Sequence, residues 1–288
     1  MQRFPDGASG KSFFQKRVPK GAPEWLETTT MSTPNGTTSN AMVATDIAHV
    51  LWAVNMGCLG FHGWPIVAAE PAFTDELRID LDPTPGTTFD DVRAAAFDTR
   101  ALLDELGIRA FPKSTGSKGI HIYVRLARDW DGYDVRAAAV ALARELERRH
   151  GDRLTAAWWK EERGKRIFID FNQNAPHKTV FGAWSVRSRV GAQVSTPLTW
   201  DELVDVHPDD LTMPVVVLRA GDGSDPWAEM YDAPQSIAPL LEMYRRDLDY
   251  GLGDAPWPPV YPNMPYAPPR VARSRARQDA ADAPEDPQ

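Results

Sequence analysis

The 288-residue chain contains a single cysteine, Cys58. One thiol cannot close an intramolecular disulfide, and it excludes zinc sites built from paired cysteines. Long hydrophobic runs are also missing. The most apolar stretch, residues 41–61, is interrupted by Asp46, His49 and Asn55. Such groups are costly in a bilayer core, so this stretch is expected to be a buried amphipathic helix and not a membrane span. The N-terminus, MQRFPDGASGKSFFQK, lacks the apolar run of a secretory signal. The cytoplasm is therefore the default compartment, with no membrane partner. Positive charge is scarce as well, with 32 Lys+Arg against 40 Asp+Glu and a net charge of −8. That balance excludes a uniformly basic coat for nucleic acid but leaves room for a local basic channel.

The remaining composition is that of a globular protein, with 42% hydrophobic residues, enough for one large domain or two small ones. Residues 1–40 are rich in Gly, Pro, Ser and Thr, with a basic bias at the start. Ile47, Val50, Leu51, Val54 and Cys58 then recur at helical spacing, predicting a helix from about Thr45 that ends at Gly57 or Gly60. Short β-rich pieces at 66–69 and 77–81 predict strands. Thr88 with Asp91 three residues on is a capping-box start for a second helix, stopped at Gly107. Strands at about 108–112 and 119–126, a helix capped by Asp134 and running to His150, and strands at 166–171 and 179–185 follow. A last helix is expected over 236–248. Irregular alternation of strands and helices predicts an α+β fold with mixed or antiparallel sheets, over a domain spanning 1–250. Residues 251–288 hold 9 of the 25 prolines and end in a basic cluster followed by an acidic one. That composition predicts a tail that first wraps the domain and is then partly disordered.

Three segments carry chemistry. In Arg78-Ile79-Asp80-Leu81-Asp82-Pro83 a strand would turn Ile79 and Leu81 one way and both aspartates the other. Two carboxylates on one face can bracket divalent cations; read alone, they are equally a solvated strand end. In Lys113-Ser114-Thr115-Gly116-Ser117-Lys118-Gly119-Ile120-His121 small residues would let backbone N–H groups approach an anion, with Lys118 as a point charge and His121 on the polar face of the next strand. An ordinary hairpin turn reads the same, and a Walker A loop is excluded because GxxxxGK[ST] is absent. In Arg163-Gly164-Lys165-Arg166-Ile167-Phe168-Ile169-Asp170, Asp170 could join the first pair from a neighbouring strand, beside basic residues that continue at Lys178, Arg187 and Arg189.

Together with RFPDG…FFQK and SVRSR, these segments are collinear from about Arg3 to Tyr250 with the archaeo-eukaryotic primase superfamily, and the chain resembles the polymerase domain of bacterial DNA ligase D and its stand-alone actinobacterial relatives. The resemblance implies that Asp80, Asp82 and Asp170 hold two metal ions, Mn2+ or Mg2+, for nucleotidyl transfer. It implies that Thr115, Ser117, Lys118, His121, Arg163, Gln173 and Arg187 lie at the incoming NTP or dNTP. Phe13, Phe14, Lys16 and His62 fall on the DNA side, the aromatics suited to stacking on bases. By composition alone Phe13 and Phe14 would as readily be core residues. The implied activity is primer extension and gap filling at broken or gapped DNA during end joining. A DNA primase, or an end-binding accessory module without catalysis, is the alternative. Family members usually carry a further basic segment ahead of RFPDG that recognises a 5′-phosphate, so that pocket is not carried over. No KxDG adenylation motif and no nuclease-like His/Asp cluster stand out, so a ligase or nuclease is expected to be a separate protein, with a separate DNA ligase and an end-binding protein as expected partners.

Overall fold

The computed structural model describes residues 1–261; the expected disordered end of the tail lies outside them. Its centre is built by alternation in the strand Glu76–Pro83. Leu77, Ile79 and Leu81 are fully or almost fully buried on one side, while Arg78, Asp80 and Asp82 share the other. The strands in chain order are β1 (Gln2–Arg3), β2 (Phe13–Phe14), β3 (Thr28–Ser32), β4 (Thr38–Met42), β5 (Cys58–Gly60), β6 (His62–Gly63) and β7 (Glu76–Pro83), followed by β8 (Phe111–Ser114), β9 (Ile120–Arg125), β10 (Leu154–Thr155), β11 (Ile167–Ile169) and β12 (Val180–Phe181). Helices are α1 (Ile47–Asn55), α2 (Phe89–Glu105), α3 (Gly132–His150), α4 (Glu202–Asp205), α5 (Met213–Ala220) and α6 (Ala238–Asp249). The principal sheet has five strands in the order β10-β11-β7-β9-β8; β10 and β11 run parallel and every other pair is antiparallel. It is thus a mixed sheet in an α+β fold, as expected. Three small sheets, β2-β1-β5, β12-β6 and the β3-β4 hairpin, accompany it.

One face of the central sheet packs on α2 and α3. Ile79, Leu81, Ile120, Ile122, Val124, Ile167 and Ile169 meet Val92, Leu102, Leu103, Leu142 and Leu146 in a single cluster. Burial of this face leaves the opposite one free for polar work. No helix among the described residues is long and apolar enough to cross a membrane.

Several local expectations hold. Thr88 and Asp91 form the capping box of α2, and Gly107, at φ 69°, follows its end. Others change. The cap of α3 is Asp131, one turn earlier than expected, and Asp134 is the returning partner of that box. Residues 66–69 form bends and turns instead of a strand, because the flanking Pro65 and Pro71 lack N–H donors for a ladder. β8 begins at Phe111, later than the expected 108, and β12 keeps only two residues of the expected 179–185. Cys58 belongs to β5 and not to α1.

The largest departure is the orientation of α1. The expected apolar face is turned outward, with Ile47 68%, Leu51 59% and Val54 49% exposed. His49 and Ala53 are the buried residues. Asp46 caps the helix and also accepts from His49 Nδ1 at 3.0 Å, while His49 Nε2 accepts the Glu27 N–H at 3.2 Å. This pair of hydrogen bonds turns the histidine face inward. Truncation therefore separates the two helices: Leu142→Ala, in the core of α3, should cost about 2–5 kcal/mol in urea unfolding. Leu51→Ala should stay within about 0.5 kcal/mol of wild type. A large loss at Leu51 would overturn the observed orientation of α1.

Candidate active site

The polar face of β7 meets its neighbours in a fixed register. Asp80 lies opposite His121 of β9, and Asp82 lies opposite Phe168 of β11. Asp170 follows β11 directly and donates its N–H to the Asp80 carbonyl at 2.9 Å, carrying the ladder one step past the strand. The three carboxylates thereby converge, with ligand oxygens all within 4.8 Å of one another. Asp170 Oδ1 accepts the Asn172 N–H and Oδ2 accepts Gln173 Nε2, each at 3.0 Å. Asp80 Oδ1 is buried 3.2 Å from His121 Nε2 but makes no hydrogen bond.

Burial and mutual repulsion set the protonation of this group. Burial pushes Asp80 up to about 6, against the attraction of Lys113 and Arg187. Burial and the Asp80 charge push Asp82 up to about 7. Burial with Asp80 and Asp82 does the same for Asp170, also to about 7. His121 is held well below its usual range by burial first, then by Lys113, Arg187 and Arg78, and is neutral at pH 7. A cluster of three carboxylates with an unbonded buried oxygen fits a divalent cation, which would remove the repulsion that now raises all three.

A cleft of about 320 Å³ opens beside the cluster, lined by Asp80, Asp82, Thr115, Ser117, Lys118 and Arg187 among others. The loop 115–119 is closed on itself: Thr115 Oγ1 accepts the N–H groups of Ser117 and Gly119, and Gly116 N–H donates to Ser114 Oγ. Those amides are engaged within the loop and do not face the cleft as free donors, contrary to the expectation for this segment. Lys118, exposed at the rim, supplies the charge of this loop. Glycine is required at two positions. A Cβ on Gly119 would stand 2.8 Å from the Leu81 carbonyl, and one on Gly116, at φ +68°, would stand 3.0 Å from Arg187 Cγ and Ser195 N. The loop can therefore lie directly against β7.

Arg187 is anchored on two sides, donating from Nε to the Thr115 carbonyl at 2.8 Å and lying 3.6 Å over the Phe181 ring. Arg189 reaches Ser117 Oγ at 3.0 Å. Arg163 does not line the cleft. Its guanidinium donates to the carbonyls of Ala157 and Trp158 and stacks 3.4 Å over Phe168, acting on Asp82 and Asp170 only through its charge. Sequence reasoning missed Lys113 as a site residue. It is fully buried beneath the cleft, where burial and then Arg187 hold its pKa well below the usual lysine range, and its Nζ donates to Ser195 Oγ at 2.5 Å and to the Ser114 carbonyl at 3.4 Å. Its pairing with His121 across β8 and β9 places both on the polar face, an alternation visible once the two strands are aligned.

Phe14, Lys16 and His62 lie apart from the carboxylates. They line a mainly apolar groove of about 360 Å³ between the β3-β4 hairpin and the 61–64 segment. Phe13 and Phe14 are 45% and 63% exposed, which excludes a core role for the pair. Phe14 meets His62 edge to face at 5.0 Å, and His62 meets Phe181 at 5.1 Å. Phe181 in turn lies under Arg187, so a continuous stack joins groove and cleft. Burial, then the positive charges of the N-terminus, Arg187 and Lys16, push His62 down to about 4. Lys16 donates to the His177 carbonyl at 3.0 Å.

Comparison with known proteins bears on this geometry. The model of the LigD primase-polymerase domain family matches residues 1–227. The multifunctional non-homologous end joining protein LigD of Mycolicibacterium smegmatis is 30% identical over 263 residues, covering 91% of this chain and 34% of that protein. LigD of Pseudomonas aeruginosa is 32% identical over 256 residues, covering 87% of this chain and 30% of that protein. The chain thus spans about a third of the length of the curated relatives it matches. Among solved structures, the polymerase domain from Mycobacterium tuberculosis ligase D in complex with DNA superposes with a TM-score of 0.75 at 27% identity, over 81% of this chain and 84% of that one. A family match over most of the chain and a shared fold agree: the chain belongs to the LigD primase-polymerase domain family, a family of nucleotidyltransferases.

Proposed function

We propose that this protein is a DNA-directed nucleotidyltransferase that extends primer ends and fills gaps, with NTP or dNTP, during double-strand break repair by end joining. The observation that carries the reading is the convergence of Asp80, Asp82 and Asp170 within 4.8 Å beside a cleft rimmed by Lys118 and Arg187. On this reading the three aspartates hold two divalent cations, Mn2+ or Mg2+. Bound there, such ions supply Lewis-acid activation of a hydroxyl nucleophile and neutralise triphosphate charge.

The side chains of the protein contribute positioning and electrostatics. Gln173 and the Asn172 N–H fix both oxygens of Asp170, so little reorganisation accompanies ligand binding. Neutral His121 fills the flank of Asp80 without competing as a fixed cation. Arg187, already held by Thr115 and Phe181, presents positive charge to the leaving phosphates at little entropic cost. Lys118 closes on the triphosphate from the rim, and Thr115 and Ser117 shape the floor of the loop beneath it. Arg163 acts from behind Phe168 through its field. The exposed rings of Phe13 and Phe14 stack on template bases, and Lys16 meets backbone phosphate. The acidic net charge is compatible with DNA because Lys16 lines the groove and Lys118 and Arg187 line the cleft.

Replacing Asp80 and Asp82 together by Ala should lower Mn2+-supported extension on gapped DNA by about 10²- to 10³-fold or more, while DNA binding in a gel-shift assay survives. Extension at the wild-type rate would sink the site assignment. Lys118→Ala should raise KM for nucleotide roughly tenfold with a smaller change in kcat. An unchanged KM would remove Lys118 from the triphosphate role.

The raised carboxylates also set a pH dependence. Each aspartate has a folded pKa above its unfolded value, so its contribution to stability is complete at low pH and is lost as pH rises through about 6–7. Divalent cations compete with those protons. The rise in Tm caused by Mn2+ should therefore be small at pH 5.5 and several degrees larger at pH 7.5. A rise independent of pH would show that the cation binds elsewhere.

A further inference from the structure

The family match ends at residue 227, yet the chain continues and its last described residues are well packed. α6 runs along α3, and after Gly251, at φ +80°, the chain returns towards the turn that follows β11. Ala255, Trp257 and Tyr261 are buried, and Trp257 and Tyr261 cluster with Ala175. The Asp254 carboxylate accepts from Arg136 Nη1 at 3.0 Å, Tyr244 Oη at 2.8 Å and Trp257 Nε1 at 2.6 Å.

Arg136, fully buried on α3, is the hinge of this contact. Its Nη2 donates to the carbonyls of Ala255 and Pro256, and the Trp257 ring lies 3.7 Å from its guanidinium carbon. Its remaining donor, Nε, reaches Asn172 Oδ1 at 2.8 Å. Asn172 Nδ2 donates to the Pro256 carbonyl at 2.9 Å, and the Asn172 N–H donates to Asp170 Oδ1 at 3.0 Å. At the far end of the same turn, Tyr261 Oη donates to the Pro176 carbonyl. The strap thus grips both ends of the short segment that carries Asp170 and Gln173. Nothing comparable is needed for Asp80 and Asp82, which a five-stranded sheet already fixes.

We propose that the strap 254–261 is a positioning element for Asp170, acting through Arg136 and Asn172, so that its docking and cation binding at the three aspartates are reciprocally coupled. This rests on the cation reading of the cluster given above. Without the strap, Asn172 keeps its N–H but loses the side-chain partner on Pro256 and the anchored guanidinium; the turn is then held to β7 by the Asp170 N–H on the Asp80 carbonyl and by Asn174 on the Arg78 backbone, and the aim of the Asp170 carboxylate loosens. A role in packing alone would instead loosen the whole domain.

The test uses the full chain with Trp257→Ala, Asp254→Ala and the conservative Trp257→Phe, which keeps a ring over Arg136. Two quantities are read: the Mn2+ dissociation constant by electron paramagnetic resonance without DNA, and amide hydrogen exchange along 77–82 and 170–175. Trp257→Ala and Asp254→Ala should weaken Mn2+ binding by about 10- to 100-fold. Exchange at Asn172, Gln173 and Ala175 should quicken, while strand β7 stays as protected as in wild type. Trp257→Phe should remain near wild type in both. Unchanged Mn2+ affinity in the two alanine variants would overturn the coupling, as would exchange that quickens equally along β7. Failure of the wild-type chain to bind Mn2+ would instead overturn the cation reading, and the coupling with it.

Discussion

Mutual repulsion among three carboxylates crowded on one sheet face is the constraint on which the rest of this molecule depends. Asp80, Asp82 and Asp170 are brought within 4.8 Å on one sheet face, Asp80 buried and the other two only partly so, beside the cleft. A sheet can hold such a group only if the other face is anchored firmly, and the Leu/Ile/Val face of β7, β9 and β11 packed on α2 and α3 does this. Compensation comes from several directions. Lys113 and Arg187 act on Asp80, and Arg163 and Lys160 act on Asp82. The Asn172 N–H and Gln173 act on Asp170 by hydrogen bonds. These contacts lessen the repulsion without removing it, and the residual strain is what a divalent cation would relieve.

The same economy of space explains the loop beside the cluster. With glycine at 116 and 119 the chain passes against the Leu81 carbonyl and beside the Ser195 N–H, so the loop can line the cleft directly against β7. Lys113, buried beneath, joins the 113–114 strand to Ser195 on the facing segment, and Arg187 is tied to Thr115 above. The cleft is polar and the neighbouring groove mainly apolar. The stack from Phe14 through His62 and Phe181 to Arg187 couples the two, a division that suits phosphate on one side and bases on the other.

Local patterns were the legible part of the fold. The ELRIDLDP and GIHIYV alternations reveal which residues share a face, because strand periodicity needs no knowledge of neighbours. The capping box of α2 was equally readable from Thr88 and Asp91. The cap of α3 is Asp131 and not the expected Asp134, because both residues are acceptable caps and only the backbone geometry selects the first. In α1 the period revealed an apolar stripe but not its direction; the bonds of His49 to Asp46 and Glu27 turned the opposite face inward. Arg163 was grouped with the nucleotide by resemblance, whereas its guanidinium is committed to Ala157, Trp158 and Phe168.

By itself, then, the sequence determined the α+β class, the pairing of Asp80 with Asp82 on one face, and the motifs that mark the family. These depend on the order of residues along single strands and loops. Tertiary structure decided the register that brings the expected Asp170 to the pair, that Lys113 lies buried beneath the cleft, that Phe13 and Phe14 are exposed, and that the segment beyond 250 docks on the turn after β11. Each of those facts joins residues far apart in the chain. Register, burial and the routing of hydrogen bonds between distant segments are set by packing, and no local periodicity encodes them.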